Sequence, residues 1–111
     1  MRVIELKEKA GRVIRFERIK PFTNICKVTG VSELVNVVVE YKVGGGNKVV
    51  DIVDYRKFFD RTFNELIEDI AKLVYDEIKQ SAQPEWLRVE VYLEGNPHLT
   101  DWRVIMDSRE Q

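Results

Sequence analysis

The sequence contains a single cysteine and a single histidine, and it lacks any long apolar run. One cysteine excludes a disulfide within the chain, which favours a reducing cytoplasm. No apolar run approaches the roughly 20 residues that a membrane-spanning helix needs. Charged residues interrupt the first twelve positions, so no secretory signal peptide is expected. Because there is no repeat and no low-complexity linker, we expect residues 1–111 to form one domain.

The formal net charge of −1 conceals an uneven distribution of charge along the chain. Residues 1–30 carry eight lysines and arginines against three acidic residues, whereas residues 31–111 carry ten against sixteen. A basic segment of this kind suits contact with a phosphate backbone, and its candidate contacts are Arg12, Arg15 and Arg18. The alternative is a solvated strand face whose charge is balanced by the rest of the protein.

The hydrophobic pattern predicts strands at both ends of the chain. In "VNVVVEYKV", residues 35–43, alternate valines and Tyr41 share one face. The segment "GGGN", residues 44–47, is typical of a turn, and with "KVVDIV" after it we predict a β-hairpin. Residues 12–19, 86–93 and 101–106 are also predicted to be strands.

The middle of the chain changes to helical periodicity. Residues 54–82 are predicted to form two helices with a break near residues 60–62, and Asp54 is a candidate N-cap. The motif Thr62-x-x-Glu65 also fits a capping box at a helix start. The order of strands, helices and strands predicts an antiparallel α+β domain that protects its sheet by oligomerising. The apolar residues at helical spacing are Leu66, Ile70, Leu73, Val74 and Ile78.

Cys26 lies in the polar segment "PFTNICKVTGVSE", residues 21–33. A lone cysteine is most often a small buried hydrophobe. Here, however, Lys27 is adjacent and would favour the thiolate. Glu33 lies across the turn, where it would face the thiol and supply a proton if burial raises its pKa, while the thiolate attacks carbon. His98 follows a proline and is predicted to be a turn residue, which disfavours a catalytic Cys/His pair.

The segments "FTNICKVTGVSE" and "FNELIEDIAKLVYDEI", on either side of the valine-rich strand, resemble the queuosine-pathway nitrile reductases of the tunnelling-fold superfamily. The loop of that family reads Cys-Pro-Val-Thr-Gly, with an aspartate seven residues after the cysteine. Cys26 matches its nucleophile, and Glu33 falls at the aspartate position. Asn64 and Glu65 fall on a Phe-His-Glu motif, so the resemblance implies that Glu65 holds a deazaguanine base, with Asn64 beside it.

The sequence departs from the reductases where they bind NADPH. Only Asp51 and Arg56 remain in register with their Glu-x-Lys-x-x-Lys segment, and Asn64 replaces the histidine thought to assist reduction. This pattern is similar to the archaeal QueF-like amidinotransferases. That resemblance implies conversion of the nitrile of 7-cyano-7-deazaguanine in tRNA into the formamidine of archaeosine, through a Cys26 thioimide and ammonia. It also implies no redox cofactor, no metal, and a homo-oligomeric barrel, pentameric or decameric, with pockets between subunits.

Two other functions stay open. One is a nitrile reductase with an altered nicotinamide site, and the other is a non-catalytic tunnelling-fold subunit that binds a purine or pterin. On the second interpretation the ligand binds through Glu65 and Cys26 is structural. A solvated acid at a strand start is the alternative interpretation of Glu33. Trp86 and Trp102 are predicted to pack in the core or at an interface.

Overall fold

The computed structural model describes residues 1–8 and 11–110, which form seven strands, two α-helices and a final 3-10 turn. The helices are α1 (Ile52–Phe58) and α2 (Ile67–Ala82), and the turn is Ser108–Glu110. No helix in these ranges is long and apolar enough to cross a membrane. The strands are β1 (Val3–Glu5), β2 (Val13–Glu17), β3 (Phe22–Ile25), β4 (Ser32–Lys42), β5 (Lys48–Val50), β6 (Trp86–Glu94) and β7 (Arg103–Asp107).

The long strand β4 is the centre of a five-stranded antiparallel sheet. Along one edge, β4 pairs first with β3 and then, nearer its end, with β2. Along its other edge, β4 pairs with β6, and β6 pairs in turn with β7. Leu34 lies opposite Glu94 in the β4–β6 register. The loop after β6 therefore lies at the same end of the sheet as the turn before β4.

One face of this sheet packs against α2 to form the core. Ile70, Val74 and Ile78 are fully buried, as the helical spacing predicts, whereas Leu73 is 43% exposed. Each buried aliphatic side chain contributes roughly 1.5–3 kcal/mol of transfer free energy, so this stripe holds α2 on the sheet. The sheet contributes its alternate residues Val35, Val37, Val39, Tyr41, Leu87, Val89, Val91 and Leu93.

The predicted hairpin between β4 and β5 is wrong, because β5 pairs with β1 in a separate two-stranded sheet. Asn47 has a positive φ of 56°, and its side-chain amide donates to the Leu6 carbonyl at 2.5 Å. Gly44 lies so close to Gln83 that a Cβ would stand 2.2 Å from the Gln83 carbonyl oxygen. These contacts turn the chain away from the sheet, and α1 begins where the returning strand was expected to continue.

Both helices begin differently from the sequence prediction. Asp51, not Asp54, caps α1, and its side chain accepts a hydrogen bond from the Val53 N–H at 3.0 Å. The capping box at Thr62-x-x-Glu65 is also wrong, because α2 starts after Leu66 and has no side-chain cap. The break between the helices therefore spans residues 59–66, a longer segment than predicted, and Glu65 lies within it.

Candidate active site

The Cys26 loop is the tip of the β3–β4 hairpin. The Cys26 N–H donates to the Val31 carbonyl, and the Gly30 N–H donates to the Cys26 carbonyl, each at 2.9 Å. Gly30 has a φ of 72°, a backbone conformation that glycine adopts without a steric cost. The sequence "VTG" therefore closes the loop tightly and leaves the thiol only partly buried.

Thr29 prepares the Cys26 thiol for ionisation. Hydrogen bonds from the Thr29 hydroxyl, and then from the N–H groups of Thr29 and Val28, lower the pKa of Cys26. The Thr29 hydroxyl also accepts from the Val31 N–H at 3.2 Å, which leaves its proton free to point at sulfur. Lys27, the expected cause, does not contribute to this pKa shift.

Glu33 faces the thiol from the start of β4 and is only 3% exposed. Its Oε1 accepts a hydrogen bond from the Asn24 side-chain amide at 2.7 Å, and its Oε2 lies 2.6 Å from His98 Nε2. Ligating atoms of Cys26, Glu33 and His98 all lie within 4.8 Å of one another. The structure thus brings the carboxyl to the thiol, and the interpretation of Glu33 as a solvated acid is wrong because the side chain is buried.

His98 lies in a turn, as predicted, and it also belongs to this cluster. It lies in the loop between β6 and β7, where Gly95, Asn96 and Leu99 all have positive φ angles. The loop reaches the cluster because β4 and β6 pair to the end of the sheet. The structure therefore brings a thiol, a carboxyl and an imidazole together, although the sequence disfavoured a Cys/His pair.

An adjoining cavity of about 520 Å³ has the three polar side chains on its wall. Such a volume lies within the range of small-molecule pockets. Trp102 forms part of the wall, is 42% exposed, and donates from Nε1 to Glu68 Oε1 at 3.2 Å. It is therefore not a core residue, and its packing at an interface, the other alternative, stays a prediction. The remaining wall is largely apolar and includes Val28, Leu66, Ile67 and Leu93.

Asn24, a residue that the sequence did not single out, ties this cluster to Glu65. It is fully buried, and besides Glu33 it binds the Glu65 main chain, donating to the carbonyl at 2.9 Å and accepting from the N–H at 3.0 Å. Phe63, two residues before Glu65, forms an isolated parallel β-bridge with Asn24. Glu65 itself is half-buried and does not line the cavity, whose wall begins at the next residue, Leu66, and Asn64 is exposed.

The three arginines that were predicted to contact a nucleic-acid backbone lie in different surroundings. Arg12 lies 3.6 Å from Glu8, and Arg15 lies 3.8 Å from Glu17. Arg15 is on the exposed face of β2, opposite the face that packs against α1. Arg18 lies beyond the end of β2 and lines a second cavity beside α1.

The cluster also offers a ligand set that fits zinc. A thiolate, an imidazole and a carboxylate are the three ligand types of zinc sites, and three such ligands leave a position open. The atoms of Cys26, Glu33 and His98 are close enough to share one ion after small adjustments. The absence of a resident metal stays a prediction.

Comparison with known proteins identifies the fold. The chain is an α+β protein with an antiparallel sheet and helices on one face, and it superposes on the apo crystal structure of the archaeosine synthase QueF-Like with a TM-score of 0.74. The match covers 90% of this chain and 96% of that one, at 20% sequence identity. The expected tunnelling fold is therefore confirmed. No protein-family model and no curated protein sequence matches the chain.

Proposed function

We propose that this protein is an amidinotransferase that converts the nitrile of 7-cyano-7-deazaguanine in tRNA into the formamidine of archaeosine. The observation that carries the proposal is the Cys26 thiol of lowered pKa, within 4.8 Å of Glu33 and His98 on the wall of a cavity. The fold shared with the archaeosine synthase QueF-Like supports the same reaction. So does the match of "CKVTGVSE" to the nucleophile loop.

The first chemical step is addition of the Cys26 thiolate to the nitrile carbon. The new S–C bond forms as one π bond of the nitrile opens, and the electron pair moves to nitrogen. That nitrogen needs a proton, which the hydrogen-bonded Glu33–His98 pair is positioned to give. The product is a thioimide bound to the protein.

Ammonia completes the transfer. It adds to the thioimide carbon, loses a proton to the Glu33–His98 pair, and expels the Cys26 thiolate. The nitrile has then gained the atoms of ammonia, and the pair has regained the proton that it gave. No oxidation state changes, so the balanced reaction consumes no NADPH and no other redox cofactor.

Base recognition is assigned to Glu65, with Asn64 beside it. A carboxylate accepts hydrogen bonds from adjacent N–H and amino groups, which is the pattern at one edge of a guanine-like ring. Two hydrogen bonds from the Asn24 side chain to the Glu65 main chain support this role, because they fix the backbone of the proposed base-binding residue relative to Glu33. A base within folded tRNA has to leave its stack to enter such a cavity.

The proposal also covers the localisation, the oligomeric state and the tRNA contacts of the protein. We place the enzyme in the cytoplasm as a homo-oligomer, pentameric or decameric, in which neighbouring subunits complete each pocket. Arg12, Arg15 and Arg18 are proposed to contact the tRNA backbone. Charge reversal of these residues should weaken tRNA binding and flatten its dependence on salt, and an unchanged salt slope would remove them from the interface.

Intact-mass measurement tests the central step. Wild type incubated with 7-cyano-7-deazaguanine should gain the full mass of the base, because addition to a nitrile expels no atom. Cys26→Ala should gain nothing, and 7-deazaguanine without the nitrile is the matched control ligand. A folded wild-type protein that stays unmodified under these conditions would contradict the proposal.

The same samples separate the other two functions. NADPH consumption with the free cyano base would identify a nitrile reductase, and we expect none. Asp51, one of the two residues in register with the reductase segment, is engaged as the cap of α1 and in a 2.8 Å hydrogen bond from Arg2 Nε. Tight binding of a purine or pterin, unchanged by Cys26→Ala and without any adduct, would favour a non-catalytic subunit.

A further inference from the structure

A second cavity, of about 480 Å³, lies between the end of β2 and α1. It shares no lining residue with the cavity at Cys26. Four cationic side chains and two carboxylates line it, which leaves a surplus of positive charge. The cationic residues are Arg18, Lys20, Arg56 and Lys57, and the acidic ones are Glu17 and Asp60.

Arg18 is held in this cavity by its hydrocarbon and aromatic surroundings. Its guanidinium carbon lies 5.1 Å from the ring centroid of Phe59 and 5.8 Å from that of Phe22. Its Nε donates to the Lys20 carbonyl at 3.0 Å. Its Nη1, however, is buried and has no hydrogen-bond partner among the described residues.

Tyr55, another residue that lines this cavity, carries a second buried donor. The residue is 1% exposed, and its ring packs edge-on against Phe16 and Phe59, with centroids 4.6 and 4.9 Å away. Its hydroxyl is buried and lacks a hydrogen-bond partner within the described ranges. Burial raises the pKa of Tyr55 well above its ordinary value, so the hydroxyl keeps its proton.

Two buried donors without acceptors are costly, because each forfeits its bonds to water. Small rotations of the two side chains toward the cavity would let an oxygen-bearing anion accept from both donors. The surplus of positive charge suits a phosphate, whose dianion matches two excess cations. The charge of Glu17 is partly offset outside the cavity, since its Oε2 lies 3.8 Å from Arg15 Nη2, and its Oε1 accepts from the Tyr92 hydroxyl at 2.5 Å.

We propose that this second cavity is a phosphate-binding site in which Arg18 Nη1 and the Tyr55 hydroxyl donate to phosphate oxygens. Lys20, Arg56 and Lys57 neutralise its charge at the rim. The site is independent of Cys26 chemistry. The phosphate comes either from an RNA backbone or from free phosphate in solution, and the two sources share this recognition chemistry.

Calorimetric titration of the folded protein with inorganic phosphate tests the site. Wild type should bind one phosphate per chain. Tyr55→Phe keeps the ring and removes one donor to a charged group, which should weaken binding about tenfold. Arg18→Gln should weaken it roughly a hundredfold or more.

The matched control is Tyr75→Phe. The Tyr75 hydroxyl is likewise buried and unpartnered in the described part of the chain, but it lies on α2 and does not line this cavity. Tyr75→Phe should bind phosphate as wild type does. Equal weakening by both tyrosine variants would overturn the proposal, since the effect would then be structural.

A second arm distinguishes the source of the phosphate. If the occupant is an RNA backbone, a tRNA transcript should displace phosphate, and Tyr55→Phe should lower tRNA affinity by a similar factor. Loss of phosphate binding alone, with tRNA affinity unchanged, would assign the site to free phosphate. If folded wild type binds neither ligand, the cavity holds only water and the proposal fails. Adduct formation on Cys26 is measured separately, so each hypothesis fails by its own assay.

Discussion

Replacing Asn24 with alanine should both destabilise the fold and disorganise the candidate active site. Asn24 is fully buried and makes three hydrogen bonds, one to the Glu33 carboxylate and two to the Glu65 main chain. Alanine makes none of them. The change leaves a buried carboxylate oxygen and two main-chain groups without their partner.

The expected loss can be worked from those three bonds. A hydrogen bond to a charged group contributes about 1.5–3 kcal/mol, and each neutral one about 1 kcal/mol. The total is about 4 kcal/mol, a large part of the roughly 5–15 kcal/mol that stabilises a domain. With a urea slope of about 2 kcal/mol per molar, the unfolding midpoint should fall by roughly 2 M.

Urea unfolding followed by tryptophan fluorescence measures this loss, and intact mass measures thioimide formation under native conditions. The control is Asn36→Ala. Asn36 is also buried, but it lies on the opposite face of β4, where it donates to the Tyr92 hydroxyl and Glu94 Oε1. Asn36→Ala should lower stability without slowing adduct formation. If Asn24→Ala is no less stable than this control and forms the adduct at the wild-type rate, the network does not hold the site.

Four further predictions concern the Cys26 cluster and the start of α1. Thr29→Val removes the hydroxyl that contributes most to the lowered pKa of Cys26, so the pH profile of thiol alkylation by iodoacetamide should move to higher pH. His98→Ala should slow adduct formation at neutral pH with little change in melting temperature, because it removes a partner of Glu33 and not a core residue. Zinc at equimolar concentration should block the adduct in wild type, less so in His98→Ala, and EDTA should restore it. The hydrogen bond from Arg2 lowers the pKa of Asp51 in the folded state. The stabilisation from this carboxylate is therefore complete above its unfolded pKa of about 3.9 and is lost as pH falls through the lower folded value. Asp51→Asn should reduce the loss of stability at acidic pH, and an unchanged loss would exclude this cause.

Local periodicity predicted most of the fold because it depends on neighbouring residues alone. The alternation in β4 and β6 and the spacing of Ile70, Val74 and Ile78 each follow from one buried face. The pairing of β5 was mispredicted because its partner is chosen by distant contacts. A hairpin suits the turn at residues 44–47 equally well, but the hydrogen bonds between Asn47 and Leu6 direct β5 to β1.

The candidate site was likewise predicted where its residues are close in sequence and missed where they are distant. Cys26 and Glu33 were predicted together because both lie in one β-hairpin, where seven residues of spacing bring them close. His98 is 65 residues from Glu33 and reaches it only through the β4–β6 register. The sequence did contain a signal, since His98 is the only histidine and follows a turn at the end of a predicted strand. The sequence contained no signal for Asn24, because the role of a buried asparagine is seen only once its hydrogen-bond partners are known.

The position of His98 has a consequence for charge at the nucleophile. Two anions, the Cys26 thiolate and the Glu33 carboxylate, would repel each other within 4.8 Å, and the charge of Glu33 does act to raise the pKa of Cys26. His98 Nε2 lies 2.6 Å from Glu33 Oε2, so in any form of the pair that carries one extra proton the carboxylate charge is offset and most of that repulsion is removed. In the proposed mechanism, such a proton is also the one that the nitrile nitrogen needs after attack. Thiolate formation and proton donation would then not compete at this site, since one proton in the Glu33–His98 hydrogen bond serves both.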